Sequence, residues 1–198
     1  MNHRVFQTSL ALLLIAWLAA CATTPPKARL SERLDEHTGI TITTLDRSLE
    51  FFAPQPEHGL DAASFANLGL AEINRMGRRS YFLWASVLWG RTDPTRMSTP
   101  KLASISIESE KDSLQFEVTQ QVDLPGHVTL YTPDAAWSEQ FVFSLSVDQV
   151  RAIARAQTLA LTIANGTGER QRFTLWKPPT ETLPRFAEEL LDGTSESR

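Results

Sequence analysis

A single cysteine and four histidines stand in a chain of 198 residues. One thiol excludes an internal disulfide and any cysteine-rich metal site. Basic residues are also scarce: 19 Lys+Arg against 23 Asp+Glu leave a formal charge of −4, without the basic footprint of a nucleic-acid binder. The most apolar run, Leu10 to Ala20, has eleven residues and spans roughly 16 Å as a helix, about half a bilayer core. It is too short for a membrane-spanning helix. No Gly-x-Ser-x-Gly elbow and no phosphate-cradling Gly-x-x-x-x-Gly-Lys occurs. What is present is 42% hydrophobic residues, enough for one ordinary folded domain.

The N-terminus has the layout of an exported chain. Met1 to Ser9 is mostly polar, with Arg4 and no acid, and the apolar run follows directly. This is the order of a secretory signal peptide. Leu18-Ala19-Ala20-Cys21 then resembles the lipobox of bacterial lipoproteins, small residues placed directly before a cysteine. The resemblance implies cleavage between Ala20 and Cys21, a thioether diacylglycerol on Cys21 and acylation of the new amine. An ordinary secretory signal followed by a chance cysteine is the plainer alternative. Against it, the only cysteine of the chain occupies the one position the modification requires. Several acyl chains exceed the two-signal threshold for stable anchoring, at about 0.8 kcal/mol per buried CH₂. The resemblance further implies, from Ala22 where such lipoproteins carry an aspartate for retention in the inner membrane, the outer membrane of a Gram-negative bacterium. The periplasmic face is the default. Removal of residues 1–20 takes Arg4 and no acid, so the mature chain keeps 18 basic against 23 acidic residues and a charge of −5.

Residues 21–38 are polar, contain Pro25-Pro26 and lack a sustained apolar period, which reads as a tether. A helical turn around Leu30–Leu34 is the most structure expected there. From Gly39 the period becomes two, the mark of strands, and residues 39–193 read as one β-rich domain. Pro54 to Ala63 reads as a loop. Met76-Gly77 reads as the tip of a hairpin between Leu68–Arg75 and Ser80–Trp89. A rival pattern would make Asp61–Met76 a helix, but Gly69 and Leu70 disturb its period. Tyr81, Leu83, Ala85, Val87 and Trp89 share one face of the second run; Phe82, Trp84, Ser86 and Leu88 share the other. Such a strand should be central and covered on both sides. Further hairpins are expected for Leu102–Ile107 with Leu114–Val118, for Val128–Thr132 with Gln140–Ser144, and for Leu159–Ile163 with Arg172–Trp176. Ser146 and Gln149 have the form of a capping box for a short helix. Leu183, Phe186, Ala187, Leu190 and Leu191 follow helical spacing, and residues 194–198 should fray. The fold class is α+β: about nine or ten mostly antiparallel strands in a sandwich-like or curved sheet, with two helices near the C-terminus.

Chemistry is harder to find. His37, His58 and His127 sit in expected loops, far apart in sequence, and read as solvated side chains. Glu57, His58 and Asp61 share one loop, but a proline-rich polar loop is usually only polar. No catalytic residue and no metal ligand is assigned, and no cofactor is expected. Asn165-Gly166-Thr167 matches a glycosylation sequon, yet Asn-Gly also suits a tight turn through its positive φ. Arg75, Arg78, Arg79, Arg91 and Arg96 face only Asp93 in the same stretch. Arginine forks suit phosphate or carboxylate, so Arg75, Arg78 and Arg79 are candidate contacts for an anion or a partner. Charged turns that keep an aromatic hairpin soluble are the simpler explanation. The segment Glu72 to Trp84 is similar to segments of uncharacterised proteobacterial lipoproteins, over most of the mature chain, and that resemblance implies no activity.

Three readings of function follow. The first is a non-enzymatic envelope lipoprotein, attached to the membrane through Cys21 and serving as an accessory or interaction subunit for an envelope protein partner. The second is a binding module for a lipid-like or glycan ligand, with Trp84, Trp89, Trp137 and Trp176 around a cavity. The third is a hydrolase using loop histidines and acids, which requires His58 or His127 beside a carboxylate. The first is preferred.

Overall fold

A computed structural model describes residues 30–36, 38–55, 59–90, 101–124, 128–133, 138–176, 182–188 and 191. The expected signal peptide, Cys21 and the expected tether up to residue 29 lie outside these residues. So do His37, His58, His127, Glu57, Arg91, Arg96 and Trp137.

Among the described residues ten strands run in chain order as β1 (Leu30–Asp35), β2 (Ile40–Leu45), β3 (Leu49–Gln55), β4 (Gly59–Arg75), β5 (Arg78–Leu88), β6 (Leu102–Glu108), β7 (Ser113–Glu117), β8 (Glu139–Leu145), β9 (Ala160–Asn165) and β10 (Arg170–Leu175). Helix α1 (Val147–Arg155) precedes β9, and a six-residue helical segment α2 (Thr182–Ala187) follows β10. The strands form a curled half-barrel in the order β1-β2-β4-β3-β10-β9-β6-β7, with β5 and then β8 leaving the other edge of β4. Every pairing is antiparallel, as short hairpin connections require.

Strand β4 organises this arrangement because it has 17 residues. Its C-terminal part pairs with β2 and its N-terminal part with β3, on the same edge, while β5 takes the other edge. Strands β2 and β3 are therefore one run, broken at Asp46–Ser48. The curl brings the chain after β7 back to β8: Gln121 pairs with Phe143, and the Val122 N–H donates to the Val142 carbonyl at 2.8 Å.

The inner face carries the main core. Leu83, Ala85 and Val87 of β5 meet Ile105 and Ile107 of β6, Leu161 and Ile163 of β9, and Phe173 of β10. Val150, Ile153 and Ala154 of α1, with Leu183 and Phe186 of α2, fill the concave side. Each such side chain, fully buried, contributes about 1.5–3 kcal/mol if large and apolar. The outer face carries a second cluster of Ile40, Ile42, Ala71, Trp84 and Leu130. Strand β5 thus has apolar cover on both faces and partners on both edges, as its two-sided pattern implies.

The capping box forms as expected: Ser146 Oγ accepts from the Gln149 N–H, and Gln149 Oε1 accepts from the Ser146 N–H at 2.8 Å. The helix it starts is nine residues long. The expectation of two helices near the C-terminus is met only in part: among the described residues there, α1 is a full helix and α2 is a short segment, although Leu183, Phe186 and Leu191 are buried on the side their spacing implies.

Three other expectations need correction. Residues 30–35 of the expected tether are strand β1 rather than linker or helical turn. Its polar side chains suit an exposed edge; its backbone pairs fully with β2, and Thr38 Oγ1 donates to Asp35 Oδ2 at 2.7 Å in the connecting turn. Most of Pro54–Ala63 is strand, because β3 supplies a ladder there and Pro54 falls at the register shift between Ala53 and Gln55. This also removes the helix over Asp61–Met76. Finally, Val128–Thr132 is not a strand paired with β8. Strand β8 pairs with β5, and Leu124, Val128 and Leu130 lie over the outer cluster as an irregular cover.

Candidate functional site

The cover formed by Leu124, Val128 and Leu130 reaches only part of the outer face. Beyond it, among the described residues, an apolar groove stays open. Phe65 of β4 lies between Phe52 of β3 and Leu88 of β5, its cross-strand partners. Trp176, one residue past β10, donates its backbone N–H to the Glu50 carbonyl at 2.8 Å, and its ring meets the Phe52 ring edge-on at 4.8 Å. Phe65, Trp176, Phe51 and Leu88 wall a cavity of about 270 Å³. Its floor is polar: Asn67 and Ser86 sit side by side on β4 and β5, and Ser86 Oγ is hydrogen-bonded to Ser138 Oγ at 2.9 Å. Glu50 stands at the rim, exposed.

The groove is unusual for this molecule because its walls are large and open. Phe65 is 41% exposed and Trp176 49%, while most described apolar side chains of that size are buried. Exposed apolar patches with polar rims mark binding surfaces. Of the four tryptophans expected around a cavity, Trp137 lies outside the described residues, and of the other three only Trp176 lines this one. Trp84 is buried in the outer cluster and donates its indole N–H to Gln140 Oε1 at 3.3 Å. Trp89 packs against the main core, its buried indole N–H without a hydrogen-bond partner among the described residues. Phe65 carried no signal in the sequence, since alternation does not tell which outward face stays uncovered.

The three candidate arginines do not form one patch. Met76 and Gly77 both have positive φ, 51° and 85°, so the hairpin closes with a tight two-residue turn. Arg75 and Arg78 face each other across it on the outer face. Arg79 points to the inner face, where its Nη1 lies 3.7 Å from Glu72 Oε2.

Glu72 is a second notable group, 3% exposed. Tyr81, its cross-strand partner, hydrogen-bonds its carboxylate, but Oε2 has no hydrogen-bond partner among the described residues. Burial pushes the Glu72 carboxyl above the usual range, opposed by the Arg79 charge and the Tyr81 hydroxyl and helped by Glu32. Burial, then the Glu72 charge, pushes the Tyr81 phenol up as well. A carboxyl with a raised folded pKa binds its proton more tightly in the native state. Its stabilising effect is present below the unfolded value, about 4.3, and is lost as pH rises through the folded one. Glu72→Gln should therefore melt higher than the parent at pH 7, with the gap closing towards pH 4. A gap that widened in acid would contradict the assignment.

Asn165 is buried, and its side chain is occupied within its own turn. Its Oδ1 accepts from the backbone N–H groups of Thr167 and Glu169, at 3.1 and 2.9 Å, and its Nδ2 donates to Glu169 Oε2. The positive φ of this turn belongs to Gly168, not to Gly166 as Asn-Gly suggests. Asp61 lies in strand β4, and its expected partners Glu57 and His58 lie outside the described residues. Among the described residues no group of three or more His, Cys, Asp or Glu gathers to hold a metal, and no helix is long and apolar enough to cross a membrane. Compared with protein-family models, curated proteins and solved structures, the chain finds no match in any of the three.

Proposed function

We propose that this chain is an envelope lipoprotein, held to the outer membrane through acylated Cys21, and that its half-barrel is a non-enzymatic interaction module, an accessory subunit to other envelope components. The lipobox Leu18-Ala19-Ala20-Cys21 supports the anchor. The observation that carries the binding role is the aromatic groove between Phe65 and Trp176, which no described residue covers. A second reading, a module for a lipid-like or glycan ligand, draws on the same groove: a cavity of about 270 Å³ approaches the size of small-ligand sites, with aromatic walls over an amide and two hydroxyls.

The test is fractionation followed by in-cell photocrosslinking from a diazirine side chain at position 88, at the groove wall. The parent should take up labelled palmitate and sediment with outer membranes, and Cys21→Ala should do neither. A recurrent protein adduct at position 88 would identify the accessory role; a lipid or glycan adduct would favour the second reading. Palmitate labelling that survives Cys21→Ala would sink the anchor.

A further inference from the structure

We infer that the tip of the β4–β5 hairpin rests on an anionic lipid surface, with Met76 entering it and Arg75 and Arg78 taking lipid phosphates. This rests on the reading of Cys21 as the lipidated residue, and it leaves the groove to the partner protein. The tip combines three local choices that the fold itself does not need. Met76 is 91% exposed, the most open of the large apolar side chains described. It holds φ at 51°, in the left-handed region where Asn, Asp or Gly is usual in such a turn. Arg75 and Arg78 stand directly opposite each other across the ladder, where like charges repel. The turn is nevertheless held in one shape, because Asn74 Oδ1 accepts from the Gly77 N–H at 2.9 Å.

Arg79, on the inner face, is matched by Glu72. Arg75 and Arg78 are exposed and have no ion pair among the described residues. The acids of this end, Asp35 and Glu36, belong to the neighbouring hairpin. Asp35 is level with Arg75 but two strands away, about 10 Å, and it accepts from the Thr38 hydroxyl. A phosphate between the two guanidinium groups turns their repulsion into charge-assisted hydrogen bonds. With so open a side chain at its apex the tip is convex, a shape that meets a yielding surface rather than encloses a ligand. Methionine, unbranched and polarisable, adapts to irregular apolar surroundings.

From Cys21 to Leu30 is nine residues, at most about 30 Å. Leu30 is level with Leu45, and Thr44 with Ala71, so the chain enters β1 at the level of Leu70. That length reaches either end of β4, and charge decides between them. The tip carries the two open arginines, while the groove rim carries Glu50. With the tip on the bilayer, Phe65 stands ten residues of β4 from Arg75, about 33 Å, and the groove is held clear of the lipid.

The lipidated protein provides the test, since Cys21 is the only cysteine and acylation consumes its thiol. Ser80→Cys, exposed and two residues behind Arg78, and separately Phe65→Cys are labelled with a fluorophore. Each is reconstituted into phosphatidylcholine vesicles with or without phosphatidylglycerol, containing headgroup spin-labelled lipid. The expected result is quenching at 80 that appears with phosphatidylglycerol and fades at high salt, and none at 65. The ratio of docked to undocked tip should fall roughly fivefold for each of Arg75→Gln and Arg78→Gln, and Met76→Ser should lower it as well. These exposed replacements should leave the urea midpoint at or above the parent's, so that lost quenching is not lost fold. Quenching at 80 that ignores phosphatidylglycerol or both arginines overturns the docking. So does no quenching at 80, or equal quenching at 65, with the protein still vesicle-bound; the anchor then stands. A label at 80 shielded only when envelope proteins are added assigns the tip to an acidic protein and also overturns it. Reaction of the parent's Cys21 with the fluorophore, with the protein free of both kinds of vesicle, overturns the anchor and the docking together.

Discussion

Gly69→Ala is expected to destabilise the fold by about 2–3 kcal/mol, a large effect for one methyl group. The reason is a single close approach. A Cβ at position 69 would overlap the Tyr131 ring. That ring cannot simply move away. Its hydroxyl accepts from the Leu45 N–H at 2.9 Å and donates to the Leu70 carbonyl at 2.7 Å. Those two backbone groups lie where β2 ends beside β4, and the ladder cannot continue because the chain bulges at Asp46–Ser48. Tyr131 therefore completes the ladder from outside the sheet. Its ring also packs on Trp84, with centroids 5.1 Å apart, and burial holds its phenol far above the ordinary value. Gly69 has no positive φ, so it is glycine for space rather than torsion. Tyr131→Phe should cost about 1–3 kcal/mol by leaving both backbone groups unpaired. In a Tyr131→Ala background, Gly69→Ala should lose most of its cost. Urea unfolding of the four proteins reads the cycle. An equal cost of Gly69→Ala in both backgrounds would mean that the ring is not the obstacle.

This juxtaposition also shows where a sequence stops being legible. Tyr131 and Leu70 are 61 residues apart, and nothing local to either announces the other. Features with short-range causes were readable. The Ser146–Gln149 box, the Met76-Gly77 tip and the two-sided pattern of β5 are each written within a dozen residues. Strand β1 was not readable, because Leu-Ser-Glu-Arg-Leu-Asp has the composition of a linker and becomes a strand only against β2. The first half of β4 was hidden similarly: Ala62, Ala63, Ala66 and Gly69 have little strand propensity, and pairing with β3, joined by β5 from Phe65 onward, overrides it. The groove needed still more. Its walls come from β3, β4, β5 and the residue after β10, and among the described residues the cover of Leu124, Val128 and Leu130 packs on the other outer cluster rather than on them. The tryptophans were visible as a set, but only the topology separates exposed Trp176 from buried Trp84.

The seam of the half-barrel should be as sensitive as the Tyr131 bridge, for a different reason. Between the chain after β7 and β8 the backbone contributes little: one bridge, Gln121 with Phe143, and the Val122 N–H to the Val142 carbonyl. Side chains must hold what so short a ladder cannot. Phe143 is fully buried, and its ring lies 5.3 Å from Phe116 of β7 and 6.5 Å from Phe141 of β8. Phe143→Ala should cost about 3–5 kcal/mol, the sum of lost burial and the void it leaves. Phe116→Ala should cost nearly as much. The double variant should fall short of the sum by about 0.5–1.5 kcal/mol, the worth of the ring pair itself. Hydrogen exchange separates this from a generic core defect. The Val122 amide should lose protection in Phe116→Ala even under conditions where the β4–β5 ladder keeps its own, because opening the seam does not require opening that hairpin. Additive energies together with unchanged protection at Val122 would mean that the two edges are held elsewhere. If the amide opens alone, the half-barrel is a sheet closed mainly by phenylalanine, and its curvature, which positions Phe65 and Trp176 across β4, β3 and β10, depends on those two rings.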